Sequence, residues 1–343
     1  MIKFENNQDF VQNFIKKPLI VNNLEIKNRL ALAPLAGTSD TIFRTFSSQY
    51  GAGLVTTELV SAKGICYDPY LTKNYRYLEI NPKKDSKIAI QLFGHEPYSF
   101  QKAIETILEH PILKECHIID INMGCPVKKV VKQGAGSALM RTPELAEEIV
   151  KTARAITESH NKLLSVKFRS GWDQSQINAV NFAKRLEAVG AELITLHART
   201  RKQMYQGKAD WEIIKKVKAA VKIPVYGNGD LSDLDSIMKM YQKTGCDGFA
   251  LGRAAQGNPW IFKKILEPDV KVSKQEWLDL VCSHLDQMIA KTGDEQSAII
   301  RMRSQLAYYL RGKKNSSSLK NQLMRPKSKE EIISLLKAVE FDE

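Results

Sequence analysis

Short apolar runs recur along residues 29–260, separated by stretches in which apolar residues return every three or four positions. The runs read as strands: "RLALAPLAG" (29–37), "LVTTELVS" (54–61), "KIAIQLFG" (87–94) and "HIIDINMG" (117–124). They continue with "LLSVKFRSG" (163–171), "LITLHART" (193–200), "IPVYGNGD" (223–230) and "GFALGRAA" (248–255). In the fourth, Ile118, Ile119 and Ile121 are apolar toward both faces, as in a parallel sheet covered on each side. The intervening stretches carry helix signals. In "TPELAEEIVKTARAIT" (142–157), Thr142 suits an N-cap, Pro143 the first helical position, and acids follow early. "NAVNFAKRLEAVG" (178–190) stops on glycine, a common helix end.

Eight such strands alternating with helices predict an α/β fold, a (β/α)8 TIM barrel, over an open doubly wound sheet. Past residue 260 the pattern turns wholly helical, over 273–293, 295–312 and 328–340. Ser328 followed by Glu331 has the spacing of a capping box. The expected organisation is therefore a barrel domain over 1–266 and a small all-α domain over 267–343.

Composition narrows the class. The 343 residues are 43% hydrophobic and 26% charged, ordinary for a soluble protein. There is neither a basic-then-apolar leader nor a run approaching ~18 apolar residues, so a cytoplasmic protein without a membrane partner is expected. Five scattered cysteines lack any CxxC pair, and six dispersed histidines lack ligand spacing. Neither a disulfide framework nor a metal site is expected. The net charge of +13 favours a polyanionic partner. It concentrates in residues 301–329, which hold nine Lys or Arg and no acid. That stretch is a solvated helix face or an interface for such a partner. The oligomeric state is left open, with a monomer the simplest reading.

The strand ends carry the candidate chemistry. Gln91, Asn122, Lys167, His197, Asn228 and Arg253 each sit at or near the C-terminal end of a different strand. In a barrel those ends share the face where active sites are built. Glycines in "YGNGD" (226–230) and "LGRAAQGNP" (251–259) fall on the two strands that usually form a phosphate site. Gly229 and Gly252 allow close backbone approach there, and Arg253 adds charge. At strand one, the small residues and Pro34 of "APLAG" offer a shelf for a flat cofactor. Gln91 can bond a ring's polar edge. Lys167 is either an interior ion-pair partner or a cation tuning a reduced flavin. His197 is either a core histidine or a member of the pocket. Cys125, just past the fourth strand, is either packing or a proton donor, since an unperturbed thiol is mostly protonated at neutral pH.

"APLAGTSD", "QLFG", "DINMGCPVKKVVKQGAGSALM", "VKFRSGW", "HARTRKQMYQGKADW", "YGNGD" and "LGRAAQGNPW" together resemble the tRNA-dihydrouridine synthases, the bacterial B-type branch above all. The resemblance covers about 30–260 with specific motifs and extends more weakly through the C-terminal helices. It implies an FMN-dependent oxidoreductase that reduces selected uridines of tRNA to dihydrouridine, with NADPH or NADH as reductant. On it, Pro34, Leu35 and Ala36 line the flavin, and Gln91 and Lys167 bond its polar edge. Asn228, Gly229, Asp230, Gly252 and Arg253 hold the phosphate. Asn122 and His197 join the flavin and uracil pocket, and Cys125 is the general acid. Arg199, Arg201, Arg301, Arg303, Arg311, Lys313 and Lys314 are the implied RNA contacts.

Two departures stand out. Arg303, Ser304 and Gln305 replace the Arg-Lys-His run of many relatives, removing two basic groups from the expected RNA face. Leu35 replaces the common Met, a volume-conserving change. The competing readings are a flavin barrel reducing a free pyrimidine and a non-catalytic tRNA-binding barrel. The basic helical domain argues against the first, and the presence of Asn122, Cys125 and Lys167 against the second.

Overall fold

The computed structural model describes residues 4–314, 316–325 and 328–341. Lys327 of the basic stretch lies outside the described residues, as do the first three and last two residues of the two expected domains. Eight strands form the barrel: β1 (Leu30–Leu32), β2 (Leu54–Thr56), β3 (Lys87–Phe93), β4 (Ile118–Met123), β5 (Leu163–Arg169), β6 (Leu193–His197), β7 (Val225–Asn228) and β8 (Gly248–Leu251). Each pairs in parallel with the next, and β8 pairs with β1 through Leu251 and Leu32, which closes the ring. A two-residue strand, Val60–Ser61, adds to β3 at Leu92 and Phe93.

Several strands stop short of the apolar runs that announced them. β1 ends at Leu32, whereas its run continues to Gly37. Ala33 still donates to Leu251 O of β8 at 2.8 Å, and the chain then leaves the sheet at Pro34, which has no amide hydrogen to continue the ladder. The N-terminal hairpin, Leu19–Val21 with Leu24–Ile26, was not legible as an element of the barrel. Its Leu19, Val21 and Ile26 pack with Leu54, Ile118, Leu193 and Tyr226 to plug the end opposite the mouth. The helix after β4's loop runs from Pro143 to Ser159, but Thr142 makes no side-chain cap. With Pro143 at the first helical position, one fewer amide needs a partner.

The helices Lys274–Thr292, Glu295–Tyr309, Ser316–Leu323 and Lys329–Lys337 follow the barrel. The first is capped by Ser273, whose Oγ accepts from the Glu276 amide at 3.1 Å, and ends on Gly293 at φ +69°. Ser328 likewise accepts from the Glu331 amide at 3.3 Å. These helices bury Trp277, Val281, Leu285, Met302, Leu306 and Ile332 in a core of their own. Ile42 and Phe46 from the barrel helix Thr41–Gln49, with Trp260, complete that core and bolt the helices to the barrel. At the seam, a Cβ on Gly257 would lie 2.2 Å from the Tyr308 carbonyl carbon, and φ there is +66°. Only glycine lets the loop after β8 meet that helix. Among the described residues no helix is long and apolar enough to cross a membrane.

Candidate active site

The alternation of β4 puts Asp120 and Asn122 on the inner face of the barrel, beside Gln91 of β3. The Gln91 Nε2 donates to Asp120 Oδ2 at 2.6 Å, and Ser165 Oγ donates to the other carboxylate oxygen. Gln91 Oε1 accepts from Asn122 Nδ2 at 2.8 Å. Asn122 Oδ1 in turn accepts from the backbone amides of Gly124 and Cys125, at 3.2 and 2.8 Å. A buried carboxylate thus fixes which way each amide points, and the chain of bonds ends on the backbone of Cys125. Gln91 is fully buried with its oxygen and one amide hydrogen engaged, so it braces the mouth from below and has little left to bond a ring.

Cys125 is held from further directions. Arg169 Nε donates to Gly124 O at 2.8 Å, and the Cys125 carbonyl accepts from Ser137 N and Oγ at 3.1 and 2.9 Å. Gly136 sits at φ +61°, where a Cβ would fall 2.9 Å from that same carbonyl oxygen. The thiol is half-buried. Burial pushes its pKa up, against the opposing pull of the Val127 amide and the charges of Arg169 and Lys167, so the sulfur keeps its proton at neutral pH.

The neighbouring strand, β5, points Lys167 and Arg169 to the same side. Burial and the Arg169 charge lower the Lys167 pKa to about 8, although its amine donates to Asn228 Oδ1 at 3.3 Å. Arg169 is buried, and its Nη1 donates to the carbonyls of Thr200 and Met204 at 3.0 and 2.8 Å. Neither Asp120 nor Arg169 was singled out from the sequence. Both sit two residues from a residue that was, on the inward side of the strand, and that period of two was the available signal. His197 ends β6, buried, with its pKa well below the ordinary value because burial and the Lys167, Arg169, Arg199 and Arg253 charges oppose protonation. It faces the mouth as a neutral imidazole.

At β7 the two expected phosphate residues have partners within the protein. The Asn228 amide donates to Ala250 O at 2.6 Å and accepts from Lys167. Asp230 accepts from Arg199 Nη2 at 2.7 and 2.8 Å, from the Ala209 amide at 2.8 Å and from Arg253 Nη2 at 3.4 Å. Its carboxylate thus aims the guanidinium groups of Arg199 and Arg253. Gly229 at φ +116° and Asp230 at φ +58° turn the chain back, and a Cβ on Gly229 would press to 3.0 Å against His197 and Ala209. Gly252 by contrast faces open space, its nearest neighbour being Leu35 Cδ2 at 3.9 Å from a Cβ. Arg253 is exposed beside it. Pro34 and Leu35 are half-buried and Ala36 exposed, on a loop whose Gly37 amide donates to Glu58.

The expected RNA contacts divide. Arg301 and Lys314 are exposed. Arg199 is 2% exposed and bonds Asp230 and the carbonyls of Gln206 and Gly207, so it shapes a loop, while its Nη1 is buried without a partner. Arg201 stacks over Trp172 at 4.8 Å. Arg303 is half-buried. Arg311 Nη1 donates to Arg253 O at 2.8 Å, and Lys313 lies 3.2 Å from the centre of the Phe341 ring. Gln305, which stands where a basic residue was expected, is buried at the seam and donates to Thr38 O on the shelf loop. Its position therefore belongs to the junction of the two parts and is not an RNA face, because helix Glu295–Tyr309 turns that side inward.

A family model described as dihydrouridine synthase matches residues 31–341. The "Probable tRNA-dihydrouridine synthase 1" of Synechocystis sp. is 36% identical over 327 residues, covering 93% of this chain and 88% of that protein. The tRNA-dihydrouridine synthase B of Vibrio cholerae is 34% identical over 308 residues, 88% of this chain and 92% of its own. Among solved structures, an old yellow enzyme homologue from Zymomonas mobilis superposes with a TM-score of 0.53 at 13% identity, covering 77% of this chain and 96% of that one. A 2-naphthoyl-CoA reductase superposes at 0.59 and 13% identity, over 74% of this chain and 52% of its own. These two likenesses bear on the barrel fold alone.

Proposed function

Because the chain belongs to the dihydrouridine synthase family of oxidoreductases, we propose that it reduces specific uridines of tRNA to 5,6-dihydrouridine in the cytoplasm, with FMN as cofactor and NADPH or NADH as reductant. The residues at the mouth fit a flavin phosphate at one side and a flat ring at the other. Gly252 leaves room for an anion beside the exposed Arg253, and the Pro34–Ala36 shelf stands next to it through Leu35. Lys167 would lie at the ring's polar edge, with His197 as a neutral neighbour. Asp230 and Arg199 act one layer out by orienting Arg253 and the loop below it.

When bound and reduced, FMN supplies a hydride to the uracil carbon beta to the C4 carbonyl. The remaining chemistry falls to the protein. As the carbon–carbon double bond is consumed, negative charge develops on that carbonyl, and the adjacent carbon must take a proton from the other face. Cys125 holds a proton at neutral pH and gives it up to carbon, after which solvent restores it. The bond chain from Asp120 to the Cys125 amide keeps the sulfur at a fixed height over the mouth, which is worth most in a step sensitive to small displacements. Lys167, charged below about pH 8, opposes the developing negative charge.

The observation that carries the reading is the bracing of the Cys125 turn by Asn122, Arg169 and Ser137 at a mouth that also holds Lys167 and Gly252. A target uridine must leave its stack to reach it, at a cost of a few kcal/mol. The test is the flavin absorption spectrum of the purified protein, followed by mapping dihydrouridine in tRNA from cells lacking it. A preparation that neither carries nor takes up FMN, or an unchanged dihydrouridine map, would overturn the proposal.

A further inference from the structure

The three most exposed large apolar side chains of the described residues are Tyr70 at 89%, Tyr67 at 80% and Tyr98 at 66%. Tyr67 and Tyr70 stand in the segment after β2 and Tyr98 in the first turn of the helix Pro97–Glu109 after β3, on the face of the barrel that holds Cys125. Isolated exposed tyrosines are unremarkable, but these are neither isolated nor loosely held. Cys66 Sγ donates to Ser99 O at 3.4 Å and Lys63 pairs with Glu96 at 2.6 Å, which ties Tyr67, next to Cys66, to Tyr98, next to Ser99. Tyr70 sits in a turn built around Asp68, whose carboxylate accepts from the backbone amides of Thr72, Lys73 and Asn74 at 2.8, 2.8 and 3.1 Å. Leu71 is buried at φ +56°, a conformation rare for leucine, and its insertion thrusts Tyr70 outward. The turn thus holds an aromatic ring in water at a fixed place.

We propose that Tyr67, Tyr70 and Tyr98 form a stacking rim for unpaired nucleotides flanking the target uridine. The inference rests on the tRNA reading above and adds a surface to it. Charge favours nucleic acid: Lys73, Lys128 and Lys129 are exposed in the segments after β2 and β4, while the Lys102 amine, 5.9 Å from the Tyr98 ring, is paired with Glu105 at 2.9 Å. Continuity does too, because His95, beside this patch, lies against Gly134 of the loop that carries Cys125. Extruding one base strips its neighbours of stacking partners, and aromatic rings on a rigid rim replace them whatever their sequence.

The test measures tRNA affinity and turnover for the holoenzyme and its Tyr67→Ala, Tyr70→Ala and Tyr98→Ala variants, singly and combined, beside the matching Phe triple variant. Each alanine should weaken tRNA binding about tenfold, raising KM while kcat at saturating tRNA and the flavin spectrum stay unchanged. The Phe variant should bind as the wild type does. The slope of log affinity against log salt should be the same for all, because a neutral ring releases no counterions. Alanine variants that bind tRNA normally overturn the inference, as does a loss shared by the Phe variant, or an altered oligomeric state with unaltered RNA binding, which would mark a protein interface. A wild-type protein that binds no tRNA would instead defeat the reading on which the rim depends.

Discussion

Replacing Lys167 with methionine should stabilise the folded protein while abolishing its reaction. The methionine fills similar space without a charge. Burial and Arg169 bring the Lys167 pKa from 10.5 to about 8, which corresponds to roughly 3 kcal/mol of folding stability lost at neutral pH. The substitution also removes the 3.3 Å bond to Asn228, returning about 1 kcal/mol of that gain. A net stabilisation of ~2 kcal/mol at pH 7 follows. The pH dependence identifies its origin. Below about pH 8 the lysine is protonated in both the folded and the unfolded chain, so the full penalty stands. Between about 8 and 10.5 the unfolded chain binds more protons, and wild-type stability rises with pH relative to the variant. The advantage of the variant should therefore shrink across that window. Urea unfolding of both proteins, freed of bound cofactor, measures it. A wild type more stable than the variant at pH 7, or a difference that does not change with pH, would refute the argument.

Cys125→Ala should keep its flavin and lose tRNA reduction by ~10²–10⁴-fold, read in single-turnover assays; a wild-type rate would remove the assigned general acid. Gly136→Ala forces a side chain into the left-handed region against the Cys125 carbonyl, and should lower stability by about 2 kcal/mol and kcat more than KM. A variant destabilised to that extent but with normal kcat would show that the Cys125 loop needs no such bracing. If five basic groups meet phosphates, tRNA affinity should fall with KCl at a log–log slope near about −4, and Arg301→Ala should flatten it by about one. An affinity indifferent to KCl would place binding elsewhere.

Apolar runs, helix caps and terminal glycines determined the barrel and the helical tail, since each is a local signal that survives without its neighbours. The placement of Cys125, Lys167 and Gly252 near the strand ends was legible because polar or small residues are conspicuous there. Their partners were not. Whether Gln91 meets a ligand or braces a neighbour depends on Asp120 one strand over, and Asn228 is turned inward by Ala250 and Lys167. Arg199 and Arg253 look alike in the sequence, yet one is buried on Asp230 and the other exposed. Gln305 read as a missing basic contact until its helix proved to press that side against the shelf loop. Strand and helix periods are encoded over a few residues, so the chain alone specifies them. The partner a polar side chain takes is chosen by what the closed barrel brings beside it, and only the tertiary structure holds that information.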